Sequence, residues 1–292
     1  MQQDLQGNGD RYRTLFENVP IGLYITTPDG RIVDANAALV RMLEYPSKES
    51  LLGMMASELY VDPSDREHQQ TLFSNVNIVQ DYETQLRRRS GDPIWVRDTC
   101  RAVCDEKGVV RSYEGSLQDI TEQKRYEEKL VYMARHDPLT GLYNRHTLAE
   151  ILEQEVSRAQ RYQHPIGILM VDVNHFKKVN DRYGHAMGDE VLQTVADVLR
   201  RSVRDSDVVV RYGGDEFLVL LIETNGETDI VRARMVREME AQCQEGPLLD
   251  LPIGLAIGTA HWMPQGDSSI EAVLVEADRK MYVEKARSGD AP

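Results

Sequence analysis

Between Thr121 and Arg135 the chain is charged and free of Gly and Pro, and Tyr126, Leu130 and Met133 recur there at the spacing of one helical face. The 292 residues exceed the roughly 100–200 of a usual single domain. The run is therefore read as a helical linker, 121–135, between one domain at 11–120 and another at 136–292. Its apolar stripe leaves two readings open: a solvated connector, or a seam that pairs with its own copy in a homodimer. Pairing is the expectation.

With 41% hydrophobic and 28% charged residues the composition is that of ordinary globular domains. A formal net charge of -14 argues against a nucleic-acid or anionic-membrane binder, which needs a basic face to displace counterions. Any anionic substrate then depends on local cations. Cys100, Cys104 and Cys243 are odd in number and lack zinc-site spacing, so neither a disulfide framework nor a structural metal is expected. A reducing compartment fits. The opening residues, MQQDLQGNGD, lack the basic start and apolar stretch of a signal peptide, and no apolar run reaches the roughly 18 residues of a membrane helix. The expectation is a cytoplasmic protein without membrane insertion.

Before the linker, Leu23 to Thr26 and Arg31 to Val33 flank the turn signal Pro28-Asp29-Gly30 and read as a hairpin. Gln80 to Arg88, Ile94 to Val103 and Val109 to Gln118 read as strands separated by Ser90-Gly91-Asp92-Pro93 and Asp105-Glu106-Lys107-Gly108. A small antiparallel sheet with helices on one side follows. The strings LFENVPIGLYITTPDGRIVDANAA, DPSDRE and GSLQDITEQK resemble a PAS sensor domain; the alternative is an α+β domain of unrelated origin. No PAS ligand or cofactor is assigned. Cys100 and Cys104, evenly spaced on one strand and so expected on one side, lack the surroundings of a flavin-adduct sensor. His68, on an expected helix, reads as a structural or solvent-exposed histidine and not as a haem ligand.

After the linker, strands and helices alternate. Ile166 to Val171 is a continuous apolar run of strand length, and Glu190 to Val203 places Val191, Leu192, Val195, Val198 and Leu199 at helical spacing. Val208 to Tyr212 and Phe217 to Leu221 read as a hairpin with Gly213 and Gly214 at its turn. A helix from Gly226 to Cys243, a strand from Ile253 to Thr259 and a helix from Ile270 to Arg287 complete an α/β sandwich, and the chain as a whole is of the α+β class.

The apolar strand delivers Asp172 at its end, where an open α/β sheet places its ligands, and the hairpin tip adds Asp215 and Glu216. Carboxylates that converge uncompensated repel one another, so either they stay apart or a hard divalent cation, Mg²⁺ or Mn²⁺, binds among them. Asp172 and Asp215 are expected at solvent-facing strand ends, outside the core. Gly213 and Gly214, lacking Cβ, would turn tightly and let a nucleotide lie against the backbone.

Together RYGGDEF, DVNHFKKVNDRYGHAMGDEVL and HDPLTGLYNR resemble the GGDEF domains of diguanylate cyclases, whose fold is related to the nucleotidyl cyclases. The resemblance implies an enzyme that condenses two GTP into cyclic di-GMP and two pyrophosphates, regulated by the PAS domain and by its product. It implies that Asp172 and Asp215 ligate the metal with their carboxylates and Val173 with its backbone carbonyl, Glu216 being the further candidate. Asp215 matches the base for the 3′-hydroxyl, with Glu216 beside it. Lys177 matches a residue facing the triphosphate, where a cation stabilises developing charge; without the motif it reads as a solvated lysine. Asn180, His185 and Asp189 match substrate contacts, Asn180 and Asp189 reading guanine, whose N1–H and 2-amino donors suit a carboxylate. Otherwise Asp189 reads as an acid favoured at the start of the Glu190–Val203 helix, and His185 as a structural histidine.

The string ADRKMYVEKARSG resembles the family's closing motif and puts Lys285 at a phosphate-contacting position. The family commonly follows with a glycine, an arginine and an asparagine, whereas this chain has Ser288, Gly289 and Asp290. One phosphate contact is then missing, or Arg287 supplies it. Arg204 and Asp207 have the spacing of the family's product-inhibition site; the plain alternative is a surface ion pair worth little. Two other functions remain open. A catalytically silent receptor would sense cyclic di-GMP through Arg204 and Asp207, against which intact Asp215 and Glu216 argue. A structural PAS dimerisation protein would leave these motifs unexplained.

Overall fold

The computed structural model describes residues 11–287 apart from 12, 74–76, 225, 246–247 and 250. Ser288, Gly289 and Asp290 lie outside the described residues. The chain divides into two compact units, one up to Lys129 and one from Leu130. In the first, β1 Gly22–Thr26, β2 Ile32–Ala35, β3 Ile78–Arg87, β4 Pro93–Cys104 and β5 Val110–Asp119 form an antiparallel sheet in the order β2-β1-β5-β4-β3. Leu86, Ile94, Val96 and Leu117 of the sheet share a core with Leu39, Leu43, Leu51 and Leu59. Helix α1, Ala37–Met42, starts at Asn36, which is fully buried and has all its side-chain bonds filled. Its Oδ1 accepts from the Leu23 and Leu39 amides, and its Nδ2 donates to the Phe16 and Ile21 carbonyls.

The even spacing of Cys100 and Cys104 does not give them one environment. On β4 the burial alternates through Ile94, Val96, Asp98 and Cys100, but the ladder skips Arg111 between the Val103–Ser112 and Cys104–Val110 pairs. Beyond this bulge Cys104 is exposed, while Cys100 is buried and its thiol is pushed up to about 12, chiefly by that burial. His68, on α2 (Pro63–Phe73), is exposed and meets the Tyr82 ring edge-on at 6.0 Å.

Helix α3, Thr121–Arg135, buries none of its residues; Tyr126, Leu130 and Met133 are 64%, 65% and 55% exposed, with Val131 and Tyr132 exposed beside them. Among the described residues no helix is long and apolar enough to cross a membrane.

In the second unit β6 Tyr143–Asn144, β7 Ile166–Asn174, β8 Val208–Arg211, β9 Glu216–Ile222 and β10 Gly254–Trp262 are ordered β10-β7-β9-β8-β6, antiparallel except for β6 beside β8. Helices α4 Arg145–Tyr162, α5 Phe176–Tyr183, α6 His185–Arg201, α7 Thr228–Glu245 and α8 Ile270–Arg287 complete the sandwich. The interior strand β7, between β10 and β9, is buried from Ile166 to Val173. Its two-residue period sends Leu169, Val171 and Val173 to a core shared with α6 and α7, and Ile166, Ile168 and Met170 to one shared with α4 and α8. On β9, Leu218, Leu220 and Ile222 join the α4 and α8 side. Helix α8 rests directly on β10 at Gly258, where a Cβ would overlap the Ala277 carbonyl and stand 2.9 Å from Met281 Cα. That close approach brings the end of α8 to the end of β7.

Among the described residues of the first unit, one carboxyl group sits in the interior. Asp98 is 2% exposed; both its oxygens accept from Tyr24 Oη at 2.9–3.0 Å, and Oδ2 accepts from Gln69 Nε2 at 2.6 Å. Gln69 Oε1 in turn accepts from Tyr60 Oη and Arg66 Nη1, both at 2.8 Å. Burial raises the Asp98 carboxyl to about 6, opposed by the Gln69 and Tyr24 donors and by the Arg66 charge. A carboxyl whose folded value lies above its unfolded value of about 4 adds stability below that value and loses it as pH rises through the folded one. Wild type should therefore lose up to about 3 kcal/mol of first-unit stability between pH 4 and pH 7, from a shift of about two units. Asp98→Asn should flatten that slope. Calorimetric melting of the full chain at stepped pH checks this; an unchanged slope in the variant would assign the pH dependence to other groups.

Candidate active site

Asp172 stands opposite Glu216 across the β7–β9 ladder, and strand parity puts both on the side covered by α4 and α8. Directly opposed like charges destabilise a sheet. Asp172 is 2% exposed, which corrects the expectation of a solvent-facing strand end: β7 runs on to Asn174, and α8 covers it. Its charge is met by Lys285 on α8, whose Nζ donates to Asp172 Oδ2 at 2.8 Å. Lys285, assigned by resemblance to a phosphate, thus holds a protein carboxylate. The half-buried Glu216 carboxyl is raised above its ordinary value by burial, then by the Asp172, Asp215 and Asp278 charges, with Lys285 opposing.

Asp215 lies in the hairpin, and its carbonyl accepts from the Val173 amide at 3.1 Å. In an extended strand the N–H and C=O of one residue face the same neighbour, so the Val173 carbonyl also faces the hairpin. The Tyr212 and Gly213 amides both donate to the Glu216 carbonyl, at 2.8 and 3.1 Å, and close the turn. Neither Gly213 nor Gly214 takes a positive φ, so the turn does not need glycine's conformational freedom. A Cβ at Gly213 would stand 2.7 Å from Glu216 Oε2, the movable end of that side chain, whereas a Cβ at Gly214 would meet nothing within 4 Å. The Gly214 side is open to a ligand.

Among the described residues no three His, Cys, Asp or Glu side chains form a ready-made metal cage. Mg²⁺ is commonly bound by one or two carboxylates completed by substrate phosphates and water. A buried carboxylate, a second one raised by negative neighbours, and a backbone carbonyl are hard oxygen donors of that kind. On donor chemistry Asp172, Asp215, Glu216 and Val173 fit such a cation.

Beyond β7, α5 and α6 meet at the single residue Gly184, whose φ of 85° and ψ of 165° reverse the chain. The sequence-based start of the second helix at Glu190 is corrected: α6 begins at His185, so Asp189 lies beyond the first turn and its reading as a helix-start acid falls. Gly188 looks like a breaker in the sequence yet is helical. Lys177, His185 and Asp189 are exposed; Asn180 is half-buried, with Oδ1 buried and without a hydrogen-bond partner among the described residues.

Two residues inside the motifs had no role assigned from sequence. Arg211 Nη1 grips Asp137 at 2.9 and 3.1 Å, while its Nη2 donates to the Gly214 carbonyl at 2.7 Å. Burial alone would raise the Asp137 carboxyl, but the Thr140 and Arg211 donors more than reverse this and hold it low. The peptide before Asp215 is thereby fixed to the segment that follows α3. The signal was the presence of one charge in HDPLTGLYNR and its opposite in RYGGDEF. Arg204 and Asp207, by contrast, are not an ion pair of side chains. Asp207 Oδ2 accepts from the Arg204 backbone at 2.9 Å and Oδ1 from the Ile222 amide at 3.0 Å, while the Arg204 guanidinium binds Glu227 at 2.7 Å.

Residues 10–120 match the PAS fold. The chain is 31% identical over 281 residues to the diguanylate cyclase DgcM of Escherichia coli K12, covering 92% of this chain and 64% of that protein. It is 39% identical over 157 residues to the diguanylate cyclase DgcP of Pseudomonas aeruginosa, covering 53% of this chain and 23% of that one. The chain thus spans less than two thirds of the length of these relatives. The crystal structure of the coiled coil and GGDEF domain of DgcB from Caulobacter crescentus in complex with c-di-GMP is similar at 25% identity and a TM-score of 0.51, over 57% of this chain and 89% of that one. Residues 134–291, more than half of the chain, match the diguanylate cyclase GGDEF domain, and the chain belongs to that family.

Proposed function

We propose that this chain is a cytoplasmic diguanylate cyclase that condenses two GTP into cyclic di-GMP and two pyrophosphates. The observation that carries the reading is the convergence of Asp172, Glu216 and the Asp215 turn at one end of the β7–β9 pair, with Lys285 as the compensating cation. An isolated acid cluster has no reason to be assembled at the cost of mutual repulsion. The 3′-oxygen of one GTP forms a bond to the α-phosphorus of the other, the bond from that phosphorus to the bridging oxygen breaks, and pyrophosphate leaves with the electron pair. Asp215 takes the hydroxyl proton, with Glu216 beside it. Repetition with the roles exchanged closes the ring. A bound Mg²⁺ or Mn²⁺ at Asp172, Asp215, Glu216 and the Val173 carbonyl supplies polarisation of the phosphoryl oxygens. Lys177 and Lys285 stabilise the triphosphate, which requires Lys285 to share or leave Asp172. Asn180, Asp189 and His185 hold the guanosine.

Two GTP sites must face each other, which calls for a homodimer, and the exposed Tyr126, Leu130 and Met133 of α3 support such pairing. The PAS unit regulates the reaction, and cyclic di-GMP inhibits it at Arg204 and Asp207, where a guanidinium fork and a carboxylate suit phosphate and guanine.

Incubation of the protein with GTP and Mg²⁺, followed by chromatography, should yield cyclic di-GMP; recovery of unchanged GTP would refute the reading. Asp172→Asn and Asp215→Asn, which keep side-chain volume, should each lower the rate by about 10²-fold or more while circular dichroism stays native. A folded variant that keeps more than about a tenth of the rate, a barrier change of at most about 1.4 kcal/mol, would remove that residue from the metal set.

Arg204→Ala should relieve inhibition by added cyclic di-GMP and keep catalysis, as followed by pyrophosphate release. Arg204 is the better probe because Asp207 also holds two backbone amides. Equal sensitivity of wild type and variant would leave Arg204 as the ion-pair partner of Glu227 alone.

A further inference from the structure

Gly188 lies in the interior of α6, where glycine weakens a helix relative to alanine. It is buried and has no positive φ, so neither solvent nor backbone conformation asks for glycine there. Space does. A Cβ at 188 would overlap Asn180 Oδ1 and stand 2.9 Å from Asn180 Cγ and 3.3 Å from Nδ2. The Asn180 amide, projecting from α5, therefore lies against the backbone of α6. Its Oδ1 is buried without a hydrogen-bond partner among the described residues, so packing on Gly188 is what sets its position.

We infer that Gly188 is a specificity-determining position: it positions the Asn180 amide, and so the choice of guanine over adenine depends on the missing Cβ. The inference rests on the guanine reading of Asn180 given above. The overlap is with the end of a rotatable side chain and not with backbone, so the crowding introduced by Gly188→Ala is relieved by Asn180 turning away. The fold survives such a change, and the placement of the amide does not. Asp189 follows directly on the same turn of α6, which makes the Gly188 contact the fixed point between the two proposed base-reading residues.

The test uses the full chain as wild type, Gly188→Ala, Asn180→Ala and the double variant, with calorimetric binding of 3′-deoxy-GTP and 3′-deoxy-ATP, which lack the attacking hydroxyl, in the presence of Mg²⁺. Gly188→Ala should bind the guanine nucleotide about tenfold more weakly and the adenine nucleotide unchanged, and the double variant should match Asn180→Ala. Thermal melting should place Gly188→Ala at or above wild type, and the double variant above Asn180→Ala, because the helix gains alanine without an overlap. Gly188→Ala with native melting and wild-type base preference would overturn the inference. So would additive losses in the double variant, or a double variant that melts no higher than Asn180→Ala. Wild type that binds both bases equally would overturn the guanine reading and the specificity role built on it. Wild type that binds neither nucleotide would overturn the proposed function, and the melting curves alone would then decide the contact between Gly188 and Asn180.

Discussion

The second unit is organised around two carboxylates that its own sheet forces together. Pairing Asp172 with Glu216 follows from the β7–β9 register, and that register is fixed by the apolar faces of both strands: a slip of one residue would send Ile168, Met170, Leu218 and Leu220 to the wrong core. The core therefore holds the acids in place against their repulsion. Compensation comes from α8, through Lys285 on Asp172, 113 residues further along the chain. Helix α8 can deliver that lysine because Gly258 lets it sit directly on β10. Strand parity, one glycine and one lysine together give a site that is negative but partly compensated.

The hairpin is held by a different means. Arg211 spans from Asp137 to the Gly214 carbonyl, so the peptide entering Asp215 is clamped by a half-buried ion pair, while the peptide leaving it is held by the Val173 amide. A planar fork can serve an acid and a carbonyl at once, and an ammonium cannot do so with the same geometry. The orientation of Asp215 is therefore tied to the residues that follow α3.

The sequence made the elements legible where a period was strong. The strand at Ile166, the final helix from Ile270 and the helix from Thr121 to Arg135 are all visible as runs or stripes. Elements whose limits depend on distant partners were not. Asp172 read as a strand end because the apolar run stops at Val171; its burial is created by α8, which no local pattern announces. The start of α6 at His185 lies before Gly188, a residue that resembles a break, and the Asn180 side chain packed against that glycine is not adjacent to it in the sequence. Cys104 differs from Cys100 because it is the last residue of β4, where the ladder is irregular. The site residues themselves were legible as a motif, but their partners were not: Lys285 on Asp172, Glu227 on Arg204, and two backbone amides on Asp207.

The two units also bury acid in opposite ways. Asp172 and Asp98 are both 2% exposed, yet Asp172 has an ammonium within 2.8 Å, whereas Asp98 is served by a phenol and an amide. Neutral donors compensate a charge less completely than a cation does, so burial dominates at Asp98 and its carboxyl rises to about 6. The same donors join β1, β4 and α2, because Tyr24, Asp98 and Gln69 come from those three elements. A proton added to Asp98 turns one of its oxygens into a donor, and the Tyr24 hydroxyl, now shared between both oxygens, must adjust its hydrogen bond. The charge state of this one side chain is thus coupled to the packing of three elements of the first unit. In the second unit the corresponding acid is coupled instead to the seat of α8.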